Sequence, residues 1–101
     1  MRTRLELQQA FEDILGSRNV YFQPPSSIRM SYPAIVYERS KILNRFAGNG
    51  KYTSNRVYDA VLITNSPDSE FIEPILSLPY CSYDRHYVAD NLHHDAFTIY
   101  L

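Results

Sequence analysis

Apolar residues recur in two rhythms along this chain. Between residues 3 and 16 the rhythm is helical: Leu7, Ala10, Phe11, Ile14 and Leu15 fall at i, i+3, i+4, i+7 and i+8, one apolar stripe. Thr3 and Glu6 stand at capping-box spacing ahead of it, and Gly16 stands where a left-handed residue ends a helix, so the pattern predicts a helix over 4–15. From residue 20 onward the rhythm is mostly two. Val20-Tyr21-Phe22 predicts a short strand stopped by Pro24-Pro25, and Ser31–Glu38 a strand whose start Pro33 marks. The longest strand candidate is Tyr52–Thr64, with Val57, Val61 and Ile63 on one face and Tyr58, Ala60 and Leu62 on the other. Apolar residues on both faces predict a central strand, covered by helix on at least one side. Ser82–Val88 and His94–Tyr100 alternate around a turn at Ala89-Asp90-Asn91-Leu92.

Two stretches interrupt these rhythms. Residues 40–51, SKILNRFAGNGK, carry Gly48-Asn49-Gly50 together with Lys41, Arg45 and Lys51, and predict a mobile, basic hairpin loop. Ser66-Pro67-Asp68 has the form of a helix start, with Ser66 as cap, and Phe71, Ile72, Ile75, Leu76 and Leu78 continue it. Pro74 fits only a first turn, which moves that start towards Ile72. The expected order is α-β-β-β-α-β-β: one α+β domain over 1–101, with a mixed or mostly antiparallel sheet of four to five strands and two helices.

Composition narrows the function classes. Ten Lys and Arg against 11 Asp and Glu give a net charge of −1, so any nucleic-acid role needs a local basic patch. A single cysteine, Cys81, excludes an intramolecular disulfide. The first residues alternate charged and apolar positions, without the apolar run of a signal peptide, and no run of 18 apolar residues occurs; folding in a cytoplasm is expected. Nine tyrosines and no tryptophan suit half-buried sheet faces and contact surfaces, because the ring packs while the hydroxyl finds a partner.

The last 24 residues, counted from Leu78, hold Cys81, all three histidines, an arginine and three acids. A metal site is not expected there. His93 and His94 are adjacent and point to opposite faces of a strand; His86 and His94 facing across the hairpin, joined by Asp84 or Cys81, lack the tight ligand spacing of structural zinc. Cys81 with His86 is the one nucleophile–base pairing, but five residues of extended strand span roughly 16 Å and simple alternation sets the two on opposite faces. Cys81 is expected as a small buried hydrophobe. Asp84 with Asp90 or Asp95 is the candidate carboxylate pair, but Asp90 reads as a turn residue, and Asp84 beside Arg85 as strand-surface charge. The Gly48-Asn49-Gly50 spacing matches no phosphate-binding pattern. No catalytic residue, metal or cofactor is therefore expected. The 41–56 region, with Lys41, Arg45, Phe46, Lys51, Tyr52 and Arg56, mixes cations and aromatics, which serves either a protein contact or single-stranded nucleic acid.

Two segments carry a family resemblance. YPAIVYERSKILNRFAGNGKYTSNRVYDAVLIT (32–64) and PDSEFIEPILSLPYCSYDRHYVADNLHHDAFTIYL (67–101) resemble the tail-completion, tail-terminator and head–tail joining proteins of long-tailed bacteriophages. In that family a Y-P-x-I-V-Y-E-R segment precedes a basic loop, then a strand, P-D-S-E, and an L-P-Y-C-S-[FY]-D-R-H-Y close. Pro74 and the apolar Ile42-Leu43 depart from its pattern. The resemblance implies a tail-terminator-like α+β fold and a structural, non-enzymatic virion protein, assembled in the host bacterial cytoplasm. It further implies a ring, typically a hexamer, that ends the tail tube or joins tail to head. The implied partners are copies of itself, the tail tube protein, head or neck connector proteins and DNA in the lumen. Rings need two different complementary surfaces per subunit. The 41–56 region and Tyr83, Arg85 and Tyr87 are the expected contact residues. Head completion at the neck and a small nucleic-acid-binding module are the rival expectations.

Overall fold

The computed structural model describes residues 3–46 and 52–101. Its elements are α1 (Arg4–Leu15), β1 (Val20–Phe22), β2 (Ala34–Phe46), β3 (Tyr52–Thr64), α2 (Ile72–Leu76), β4 (Cys81–Ala89) and β5 (Leu92–Tyr100). They form one α+β domain whose five-stranded mixed sheet has the order β1-β2-β3-β5-β4. β1 lies parallel to β2, and the other neighbours are antiparallel.

Helix α1 forms over the span its cap and stripe predict. Thr3 Oγ1 accepts the Glu6 amide at 3.2 Å, and Gly16, at φ 68°, donates its N–H to the Glu12 carbonyl at 2.8 Å. The helix buries Leu7, Phe11 and Leu15, which share one core with Ile35 and Tyr37 of β2, Tyr58, Ala60 and Leu62 of β3, and Phe97 and Ile99 of β5. Each large apolar side chain buried there contributes about 1.5–3 kcal/mol. Tyr37, 1% exposed, donates its hydroxyl to Gln8 Oε1 at 2.5 Å and accepts from Arg4 at 3.3 Å, so its polar tip is satisfied inside the layer.

Helix α2 is short. Ser66 Oγ accepts the Asp68 amide at 3.4 Å and Ser69 Oγ the Phe71 amide at 3.2 Å, so these residues form turns and not a helix cap. The helix starts at Ile72, with Pro74 inside its first turn, where the missing N–H has no intrahelical partner to lose. It ends at Leu76, short of the expected Leu78, and buries Ile75.

The largest departure is in β2. It starts at Ala34, not Ser31, and continues to Phe46, through most of the expected loop. The rest of that loop, 47–51 with Gly48-Asn49-Gly50 and Lys51, lies outside the described residues. A register shift between Arg39 and Lys41 accommodates Ser40, whose hydroxyl donates to the Val57 carbonyl at 3.2 Å. β5 pairs with β3 only from Val57 onward. Residues 42–46 and 52–56 therefore pair with each other as a two-stranded arm running past the sheet, tied at its base to Leu101, whose N–H donates to the Arg56 carbonyl at 2.8 Å and whose carbonyl accepts from the Asn55 side chain at 3.0 Å.

β4 and β5 form a hairpin whose turn residues Asp90 (φ 53°) and Asn91 (φ 60°) are both left-handed, the backbone that a two-residue turn between twisted strands requires. A second register shift, between Tyr83 and Arg85, bulges Asp84 out of the ladder. Before the bulge, Cys81 and Tyr83 oppose Ile99 and Phe97 on the helix side. After it, His86 opposes Asp95 on that same side, and Arg85 and Tyr87 face away. The far face of the sheet has no helix. Ala34, Val57 and Ile63 are buried on it, and Val36, Val61, Ala96 and Thr98 are half-buried.

Candidate protein-interaction site

The expected contact residues separate into two surfaces. One is the β2–β3 arm. Ile42 and Leu43, successive residues and so on opposite faces, are 43% and 40% exposed, and Lys41 and Arg56 are exposed beside them. Arg45, Phe46 and Tyr52 belong to the arm by backbone register, Arg45 opposite Thr53 and Phe46 opposite Tyr52. Their side chains, and Lys51, lie outside the described residues. Arg56 lines a cleft of about 250 Å³ with Thr3, Arg4, Tyr58 and Leu101. A two-stranded ribbon has no core of its own, so adjacent apolar residues exposed on both of its faces are unusual unless a neighbour covers them.

The second surface is β4, an edge strand exposed from Ser82 to Val88. The bulge divides its expected contact residues. Arg85 and Tyr87 share the helix-free face, with the Arg85 guanidinium 5.3 Å from the Tyr87 ring centre and Tyr87 stacked on His94 at 4.8 Å. Tyr83 lies on the helix side, its ring edge-on to Phe97 at 5.4 Å. Its hydroxyl donates to Asp95 Oδ1 at 2.8 Å.

The bulge also corrects the reading of the histidines. His86 does not meet His94; its Nε2 lies 3.0 Å from Nδ1 of His93, and the two rings stack. Cys81 and His86 share the helix side, where uninterrupted alternation would have separated them. Cys81 packs half-buried against the core, and burial pushes its thiol up to about 11. At neutral pH it is a protonated, poor nucleophile. Among the described residues no three His, Cys, Asp or Glu side chains stand close enough to hold one metal ion, and no helix is long and apolar enough to cross a membrane.

The burial of Asp95 escaped the sequence reading. It is 2% exposed, and its Oδ2 has no hydrogen-bond partner among the described residues. The signal was present: Asp95 shares parity with Phe97 and Ile99, which sets it on the core face. Removing the Tyr83 hydroxyl would leave this buried carboxylate without any bond on either oxygen. Tyr83→Phe is therefore expected to cost about 2 kcal/mol, whereas Tyr83→Phe with Asp95→Leu returns stability to the wild-type level or above, because burying apolar groups carries no such penalty. Urea unfolding of both variants measures this. Alkaline pH reports the same bond. Loss of solvation, the Asp95 hydrogen bond and the Asp95 charge raise the Tyr83 hydroxyl to about 12. A phenol raised in the folded state stabilises below its unfolded value near 10, and that contribution fades as pH climbs from about 10 to 12.

No protein-family model matches this chain, and comparison with curated protein sequences finds no match either.

Proposed function

We propose that this chain is a structural subunit of a bacteriophage tail, which forms a ring of six copies at the head-proximal end and there stops tube growth or joins tail to head. The observation that carries the proposal is the two-stranded arm. It extends past the last β3–β5 pair and exposes Ile42 and Leu43, so it adds little to its own domain. An arm of this kind gives each subunit a projection to lay on its neighbour, and the exposed β4 edge supplies a different surface, as a closed head-to-tail ring requires. The family resemblance of 32–64 and 67–101 agrees in kind, and a tail-terminator-like fold is part of the proposal. The mechanism is geometric: a ring seated on the last tube layer covers the edges on which another layer would add, and presents a new face to the head. No step needs a cofactor or a reactive group, and the working location is the virion.

Electron microscopy of particles assembled without this protein tests the role. Overlong tails mark a terminator. Tails of normal length, unattached to heads, mark a joining factor; unfilled or leaking heads mark head completion at the neck. Unaffected virions overturn the proposal. Exposed Lys41 and Arg56 favour one second reading, contact with DNA. Counterion release would make such binding collapse between 50 and 200 mM salt, by about 10³-fold or more for six phosphate contacts. Ring assembly held by apolar contacts persists through that change.

A further inference from the structure

The helix-free face of the sheet carries an acidic pair that the ring reading does not use. Glu38 and Asp59 are direct cross-strand partners on that face, and both are exposed. Like charges placed opposite each other destabilise a sheet. Among the described residues neither carboxylate has a hydrogen bond or ion pair. They flank a groove of about 250 Å³ whose floor is Val36 and Val61 and whose end is Gln23 and Pro24. Two strands away on the same face stands Arg85, exposed, with the Tyr87 ring as its contact and no carboxylate. An acidic groove without a cation and a cation without an acid thus occupy one surface, over a half-buried apolar strip of Val61 and Ala96.

We propose that this face is a self-association surface, on which a second copy of the chain places its Arg85 in the Glu38–Asp59 groove and receives Arg85 in its own. Register supports a two-fold arrangement. With the axis along β5, β3 of one sheet lies over β4 of the other, because each sits one strand from β5. Asp59 then faces the partner's β4, two residues along from the row that holds Arg85, since Arg85 opposes Ala96 and Ala96 opposes Val61. That offset is about 7 Å along a strand, which an extended arginine side chain spans. Both halves of the contact lie on one face, the requirement for an isologous pair. With that axis three strands overlap, β3, β5 and β4, and about six residues of each give a footprint of roughly 300 Å² per partner. That is well under half of a standard interface, so the pair is weak and reversible. The inference stands without the ring reading.

Sedimentation velocity of the full chain from 5 to 500 µM tests it, with Arg85→Glu and the double variant Glu38→Lys/Asp59→Lys. The wild type is expected to pass from one copy to two across that range. Each variant alone is expected to dimerise at least about 10-fold more weakly, because like charges then meet at both contacts. An equimolar mixture of the two variants recovers dimer at wild-type concentrations, since each supplies the charge that the other now needs. Recovery in the mixture also shows that both variants are folded. A wild type that stays single to 500 µM overturns the inference, as does an Arg85→Glu chain that dimerises unchanged, or a mixture without recovery. A six-copy species indifferent to Arg85→Glu would overturn it and leave the ring reading intact.

Discussion

Phe11→Ala is expected to lower the stability of the folded chain by about 3–5 kcal/mol. Phe11 is 0% exposed, lies at the middle of the stripe that α1 presents to the sheet, and sets its ring edge-on to Tyr37 at 5.5 Å. Truncation removes the transfer energy of the ring, its quadrupolar contact with Tyr37, and the filler of a space between two rigid layers that cannot close. A domain of this size is stable by about 5–15 kcal/mol in all, so the variant stands near its unfolding limit. At about 4–8 °C per kcal/mol the midpoint falls by roughly 12 °C or more, which thermal unfolding followed by circular dichroism measures. A fall under 4 °C would mean that α1 is not seated on the sheet as described.

The arm variant Ile42→Ser with Leu43→Ser is expected to do the opposite. Both side chains are more than a third exposed, so unfolding energy changes by no more than about 0.5 kcal/mol. Assembly is lost, because these are the apolar residues that the arm offers to a neighbour, and the interface energy concentrates in few anchors. Size-exclusion chromatography with light scattering reads ring formation, and urea unfolding checks that the domain is intact. A variant that still forms rings removes the arm from the account. Stability and assembly therefore separate by position: α1 governs the first and the arm the second.

Sequence rhythm exposed the parts of this fold that a single layer of burial dictates. Helix α1 was legible because its cap, stripe and terminal glycine agree over 12 residues. The central place of β3 was legible because both of its faces are apolar near the end, and the turn at Asp90-Asn91 because those residues tolerate a left-handed backbone. The arm was not. Residues 42–44 bury no face of their own, so no alternation of apolar and polar positions announces a strand, and the glycines beyond them in the sequence suggest a loop. Backbone pairing with 52–56 forms it instead.

The bulge at Asp84 was equally silent, because neither glycine nor proline marks it. One extra residue there reverses the facing of everything after it. This is why Tyr83 and Tyr87, of equal parity, serve opposite faces, and why His86 meets His93 and not His94. The acidic groove was hidden for another reason: Glu38 and Asp59 lie 21 positions apart and become neighbours only once the β2–β3 register is fixed.

In the proposed role the chain works through the shapes it offers to neighbouring chains. Adding the purified protein to growing tail tubes, with negative-stain electron microscopy as the readout, tests this most directly. One ring at a single end of each tube, with elongation stopped there, is the predicted result. Tubes that carry no ring and lengthen as before would contradict it.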